Sequence, residues 1–429
     1  MDKTPAHCNG RAIEGLALLA QRDFSPDLST LPQAARSVGV PQPHLDAAFE
    51  RLLSHSRLAV VHGASNQEPG TVLHRTHNPR SWKSYSAVAT DLALTLRRLG
   101  FANVDLLAEG MDLPRALRDR RIHLSWLNSG GVQGHGPMCH ASAVHESLGI
   151  PYVGHRPASA ALMDDKPLFK GWLQGMGIPT APFVLWHPSR GALPAADDRS
   201  LLELERFSEG PLIVKPASGR ASQHVVWVAS AKEVAEAVAE VHGHTRDRVM
   251  IEPYLAGREY CIAVAPPLTR TAGGFLATPR PVFPAALERC LDPGERVFTS
   301  LDKRAISASR VRILDAAQDA SVLERLESIA EKTFGALGLD FIIRLDVRED
   351  RNGNPMVLEA NPKPDLAACR EGKRGSLIAL GLASRGMSYD DLIACQVAYR
   401  LKSGVDYCPQ ELGPIRSMLP WLRDEDEVS

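Results

Sequence analysis

The sequence predicts an α/β protein whose first unit is a parallel sheet and whose later units are α+β, and three observations carry that expectation. Short apolar runs alternate with amphipathic helical stretches between residues 58 and 127. A glycine-rich turn joins the last of those runs to a helix. Further on, two strand-like runs flank Asn352-Gly353 and place charged residues at every second position. Strand, helix and strand in alternation favour parallel pairing through right-handed crossovers, whereas a short turn between two strands favours a hairpin.

The elements follow in chain order. Residues 1–57 carry Pro5, Pro26, Pro32, Pro41 and Pro43 around two short helical patterns and are set apart as an N-terminal extension of unread role. Leu58-Ala59-Val60-Val61 is closed by Gly63 and reads as a buried parallel strand. Val88, Leu92, Leu96 and Leu99 recur at helical spacing up to Gly100, and strands are expected at 104–107 and 122–127. Asn128 to Gly136 then forms the glycine-rich turn before a helix over 141–148. Such a turn places backbone N–H groups against a ligand, but it lacks the G-x-G-x-x-G spacing, so a plain positive-φ turn fits equally well.

A second unit starts at Asp164-Asp165-Lys166-Pro167, a helix start that runs to Gly177. Strands are expected over 211–216, ending on Lys215-Pro216, and over 225–228. Ser230 and Glu233 form an S-x-x-E capping box for a helix to His242, and 249–255 is strand-like again. From Pro266 to Ser309 the chain reads as loop-rich, long enough to be functional or mobile. A helix containing Ile313, Ala317, Leu323, Leu326, Ile329 and Phe334 follows, then strands over 341–347 and 356–360, and a last helix capped by Ser388 and Asp391 and reaching Leu401.

Composition narrows the function. The 429 residues are 44% hydrophobic and 23% charged, enough for several domains with sizeable cores. Lys plus Arg number 49 against 50 Asp plus Glu, so no bulk positive field draws nucleic acid or an anionic membrane, and small-molecule partners become the expectation. The seven cysteines are scattered without a C-x-x-C pair, as in a reducing compartment, and no apolar run approaches a membrane span. A cytoplasmic location is expected.

The hairpin is the most informative stretch. Alternation puts Arg344 and Asp346 on one face of their strand, and Glu359 and Asn361 on one face of theirs. Where those faces coincide, two carboxylates and an amide oxygen form a hard-cation set suited to Mg²⁺, beside an arginine able to stabilise a transferring phosphoryl group. A solvated face of an amphipathic hairpin is the plain alternative. His135, His140 and His145 step by five residues, which does not gather them on one helix face as zinc ligands.

Taken in order, Lys166, Val214-Lys215-Pro216, Ile251-Glu252-Pro253-Tyr254-Leu255 with Gly257-Arg258-Glu259, and then Arg344, Asp346, Glu359 and Asn361 resemble the ATP-grasp enzymes. Within them the chain is most similar to the D-alanyl-D-alanine ligases, a likeness extended by residues 149–154 and 386–392 and covering roughly 58–402. The resemblance implies an ATP-grasp fold behind an N-terminal parallel-sheet α/β domain, with boundaries at 58–163 for that domain, 164–250 for the central subdomain and 251–429 for the C-terminal subdomain with the metal site. It implies that Lys166 and Lys215 contact the α and β phosphates of ATP. Glu252, the Pro253 carbonyl and the Leu255 N–H would lie at the adenine edge, with Tyr254 beside them, although Tyr254 and Leu255 also fit as plain core. Glu259 would accept from the ribose hydroxyls. Asp346, Glu359 and Asn361 would hold two Mg²⁺ ions, with Mn²⁺ as a substitute, and Arg344, Lys303 and Ser376 would be catalytic.

The implied reaction joins a carboxylate to an amine through an acyl phosphate, on amino-acid or peptide-like substrates, in a homodimer. Residues 218–223 and the segment 266–309, with Lys303 and Arg304, are the expected lids. The chain also departs from the family. Its phosphate loop is poorer in glycine and serine, Glu68 and the stretch to Trp82 do not align with the family's ammonium-reading glutamate, and Arg370, Lys373 and Arg374 stand near Ser376 without counterparts. Those three cations either select an extra anionic group or form a solvated loop. Plain D-alanine dimerisation is therefore less favoured than ligation of another pair. A ring-closing amide synthetase and a non-catalytic ATP-binding regulator are the alternatives.

Overall fold

A computed structural model describes residues 42–63, 85–131, 136–219, 222–292, 294–296, 310–370, 375–407 and 409–419. The first sheet is parallel, with β1 (Arg57–Gly63), β2 (Asn103–Glu109), β3 (Leu124–Asn128) and β4 (Tyr152–Val153) in the order β2-β1-β3-β4. Strand β1 is apolar on both faces because both are covered. Leu58 and Val60 enter one core with the helix Ser86–Arg98, while Ala59 and Val61 enter another with Leu113, Leu117 and Ala141 from the helices Leu113–Asp119 and His140–Leu148. Gly100, at φ +109°, ends the first of these helices as its position suggested.

The helix Gln42–His55 lies within the stretch whose role the sequence left unread, and it joins the first of those cores through Leu45, Phe49 and Leu52. The Phe49 ring meets Phe101 and Phe275 edge-on, at centroid distances of 5.7 and 5.0 Å. That contact ties the first sheet unit to a distant hairpin.

The second sheet is antiparallel, β5 (Val184–Trp186), β6 (Leu212–Pro216), β7 (Val226–Val228) and β8 (Val249–Pro253) in the order β5-β8-β6-β7. The helices Arg199–Ser208 and Val234–Thr245 cover one face with Leu201, Leu204, Val234 and Val238. The capping box does not form. The Ser230 side chain makes no cap bond, a 3₁₀ turn over Ala231–Glu233 precedes the helix, and Glu233 reaches back to the Ala229 N–H at 3.3 Å.

The third sheet, also antiparallel, contains β9 (Glu259–Ala265), then, after the separate hairpin β10 (Leu268–Thr271) and β11 (Gly274–Ala277), β12 (Val282–Arg289), β13 (Val311–Ile313), β14 (Ile343–Glu349) and β15 (Pro355–Asn361). Its order is β13-β12-β9-β14-β15. Two expectations change here. The stretch read as a loop from Pro266 carries three strands, and β12 lies inside the sheet between β13 and β9, so residues 282–289 cannot move as a lid. Ile313 belongs to β13, and the helix begins only at Ala320, running to Ala336. The β14–β15 turn is held by Asp350, whose carboxylate accepts from the N–H groups of Asn352 and Asn354 at 2.8 Å, with Gly353 at φ +77°. The final helix, Tyr389–Tyr407, starts where expected, with the Asp391 N–H on Ser388 Oγ at 3.0 Å, and runs past Leu401. Among the described residues no helix is long and apolar enough to cross a membrane.

Candidate functional site

Strand β14 alternates between two environments. Ile343, Leu345 and Val347 pack into the core under the helix Ala320–Ala336, so Arg344, Asp346 and Arg348 turn to the opposite face. That face borders a cavity of about 740 Å³. The register pairs Arg344 with Asn361 and Asp346 with Glu359, so the two faces that the sequence left to coincidence do coincide. Arg344 holds Asp346 through two bonds, Nε to Oδ1 at 2.8 Å and Nη2 to Oδ2 at 3.1 Å, and Asn361 Nδ2 donates to the same carboxylate at 3.4 Å. Burial alone would raise the Asp346 carboxyl, but Arg289 and Arg344 beside it hold it below the usual carboxylate range.

Lys166 enters from the first turn of the helix Lys166–Gly175, which Asp165 caps by accepting from the Leu168 N–H at 3.1 Å. Its ammonium lies 2.8 Å from the Gly219 carbonyl and 3.3 Å from Glu359 Oε2, joining the loop after β6 to the hairpin. Glu252 on β8 is buried between two lysines. Lys170, one helical turn beyond Lys166, donates to one oxygen at 2.8 Å, and Lys215 on β6 pairs with the other. Burial would raise the Glu252 carboxyl, yet Lys170 and Lys215 together hold it at about 2. Burial also lowers the Lys170 ammonium, against the pull of Glu252.

The next stretch of wall is built by Tyr254, Leu255 and Glu259. Arg348 donates to the Tyr254 hydroxyl at 3.0 Å and stacks over its ring at 4.8 Å. Glu259 accepts from Arg289 at 3.0 Å and from Arg348 at 3.5 Å. At the far end Ser376 caps the short helix Leu377–Gly381, accepting from the Ala379 N–H at 3.2 Å, and the Lys363 ammonium lies 3.3 Å from the centre of the Tyr85 ring.

Lys166, Lys215, Glu252, Pro253, Tyr254, Leu255, Glu259, Arg344, Asp346, Glu359, Asn361 and Ser376 therefore all line one cavity. Lys303 and Arg304 fall outside the described residues, as do Glu68, Trp82, His135, Lys373 and Arg374. Of the expected phosphate loop, Gly219, Ser222 and Gln223 line the cavity, and residues 220–221 are not described. Arg370 pairs with Asp91 on the helix Ser86–Arg98 and is not among the residues lining the cavity. His145 is buried, its Nδ1 2.7 Å from the Ala141 carbonyl, and burial pushes its ring down to about 4. Among the described residues no three His, Cys, Asp or Glu side chains gather as a metal centre, and His135 lies outside them.

Sequence reading passed over Lys170, Arg348 and Arg289. Lys170 was open to detection, since it follows Lys166 at i+4 on one helix face. Arg348 continues the alternation of Arg344 and Asp346. Arg289 gave no local signal, because its strand was read as loop.

The family model described as D-ala D-ala ligase C-terminus matches residues 172–397. A D-alanine–D-alanine ligase of Synechococcus sp. (strain JA-3-3Ab) is 25% identical over 248 residues, covering 58% of this chain and 68% of that protein. The uncharacterized protein y4sG of Sinorhizobium fredii is 27% identical over 264 residues, 61% of this chain and 70% of its own. Two solved structures share the fold. A D-alanine–D-alanine ligase from Bacillus anthracis complexed with ATP superposes with a TM-score of 0.56 at 20% identity, over 81% of this chain and 97% of that one. The VanG D-Ala:D-Ser ligase of Enterococcus faecalis gives 0.55 at 16% identity, over 80% and 99%.

Proposed function

Since the chain belongs to the D-ala D-ala ligase C-terminus family, and so to the ATP-grasp ligases that form C–N bonds, we propose that it joins a carboxylate to an amine on amino-acid or peptide-like substrates through an acyl phosphate. The observation that carries this reading is the β14–β15 register, which sets Arg344, Asp346, Glu359 and Asn361 on one cavity wall within reach of Lys166.

ATP is the co-substrate. The Pro253 carbonyl and the Leu255 N–H pair with adenine beside Glu252 and Tyr254, and Glu259 accepts from the ribose hydroxyls. Lys166 and Lys215 neutralise the α and β phosphates as point charges. Asp346, Glu359 and Asn361 form an all-oxygen set of two carboxylates and an amide, the donor chemistry that suits Mg²⁺ with phosphate oxygens and waters completing its sphere. Bound there, Mg²⁺ supplies neutralisation of the triphosphate. The substrate carboxylate attacks the γ-phosphoryl group, breaking its bond to ADP, and Arg344 stabilises the charge spread over the transferring oxygens. The neutral amine then attacks the acyl carbon, the C–O bond to phosphate breaks, and the proton lost from nitrogen leaves with the phosphate. Ser376 orients a substrate at the far end, and Gly219, Ser222 and Gln223, which line the cavity, shield the acyl phosphate from water. This assignment asks positioning and charge to do most of the catalysis.

The test is phosphate release from Mg-ATP across a panel of amino acids and dipeptides, with products identified by mass. Release should require one carboxylate and one amine, and Glu359→Ala should lower it on the order of 10³-fold. A single compound losing one water would replace this reading with ring closure. ATP binding without turnover on any substrate pair would favour a regulatory protein.

A further inference from the structure

Arg289 touches both ends of the nucleotide site assigned above. Across the third sheet the register places Arg289 of β12 opposite Glu259 of β9, and Glu259 opposite Arg348 of β14. Asp346 lies two residues before Arg348 and so shares its face. The Arg289 guanidinium spans the gap, with Nη1 3.0 Å from Glu259 Oε1 and Nη2 3.2 Å from Asp346 Oδ2. All three side chains are at most 10% exposed, so water does not substitute for these bonds. Arg344 reaches Asp346 and Arg348 reaches Glu259, but among the described residues Arg289 is the arginine bonded to both.

A guanidinium is a rigid planar fork, and a carboxylate on one tine cannot shift without turning the other. We propose that Arg289 is a positioning residue that couples the ribose end of the site to its metal end, so that ribose hydroxyls held by Glu259 tighten metal binding at Asp346. The inference rests on the nucleotide assignment under Proposed function. Linkage makes the effect reciprocal: metal at Asp346 tightens the grip on ribose by the same factor. Members of one buried charge network are expected to couple in this way.

The test reads binding rather than turnover. The full chain is melted with saturating nucleotide while Mg²⁺ is titrated, and the Mg²⁺ concentration giving half of the nucleotide-induced rise in Tm is recorded. ATP is compared with dideoxy-ATP, which lacks both ribose hydroxyls. In the unaltered protein, dideoxy-ATP should raise the Mg²⁺ requirement about fivefold or more. In Arg289→Met the two nucleotides should need the same Mg²⁺ within about twofold, and Arg289→Lys, which keeps the charge but not the fork, should behave likewise. Equal Mg²⁺ requirements in the unaltered protein overturn the coupling without any variant. So does a folded Arg289→Met, or Arg289→Lys where the former does not fold, that keeps the full difference. Failure of ATP to raise Tm at any Mg²⁺ concentration removes the nucleotide assignment itself, and the coupling with it.

Discussion

Strands β1 and β14 are each seven residues long and almost wholly buried, yet they bury opposite chemistry. In β1, Leu58 and Val60 face one hydrophobic core and Ala59 and Val61 another. In β14, Ile343, Leu345 and Val347 face a core, while Arg344, Asp346 and Arg348 face the cavity. A parallel strand covered by helices on both sides has no use for polar residues. The antiparallel strand keeps one face for packing and turns the other into a charged wall. Buried charge persists there because each group has partners: Arg344 and Arg289 on Asp346, and Arg289 and Arg348 on Glu259. One sheet unit buries apolar side chains on both faces, and the other mounts charged side chains along a cavity.

The largest expected effect comes from breaking a charged set. Lys170→Met removes a fully buried ammonium and leaves Glu252, itself 3% exposed, with Lys215 alone. The cost should be about 3–5 kcal/mol, since an incompletely compensated buried charge is far dearer than an intact pair. It should appear as a lower urea midpoint at unchanged slope. A midpoint within experimental scatter of the parent would mean that Glu252 on β8 is held without Lys170.

Next comes the apolar face of β14. Leu326 is fully buried in the core beneath Ile343, Leu345 and Val347. Leu326→Ala should lower stability by about 2–5 kcal/mol, through lost transfer energy and a residual cavity. Phosphate release per folded molecule should stay near the parent value well below the melting transition. Stability lost without activity would mark the apolar face of β14 as packing alone. Equal loss of both would show that the faces are not separable.

What the sequence disclosed follows the range of each signal. The β14–β15 hairpin was legible because register across a short turn depends on nearby residues, and Asn352-Gly353 marks that turn. The helix start at Asp165-Lys166-Pro167 was legible from its acidic residue and proline, whereas Lys166 was singled out only by the resemblance. Arg289 was not legible, because β12 is fixed by pairing with β9 and β13 at long sequence separation, and its flanking segments carry few helix or strand signals. The same range limit explains the helix Gln42–His55. Its apolar positions are ordinary, and its meaning lies in Phe275, more than two hundred residues away. Ile313 was misread for a related reason, since a three-residue strand leading toward a helix shares its apolar spacing.

The smallest effect is in acid. Glu252 is held at about 2 in the folded protein, below the 4.5 of an unperturbed glutamate, by Lys170 and Lys215 against the opposing effect of burial. A carboxyl lowered by folding stabilises the native state above its unfolded value, and that contribution is lost as pH falls through the folded one. The loss should therefore run from about pH 4.5 down to about pH 2. Other carboxylates also titrate there, Asp346 among them, so the informative quantity is a difference. The stability of the parent minus that of Glu252→Gln, from urea midpoints, should shrink by about 3 kcal/mol across the window. No equivalent site on β1 from Leu58 to Val61 contributes, because those four side chains carry no proton to gain. A difference that stays constant with pH would mean that Glu252 does not draw its low value from the two lysines, and β8 would then owe its stability there to packing, as β1 does.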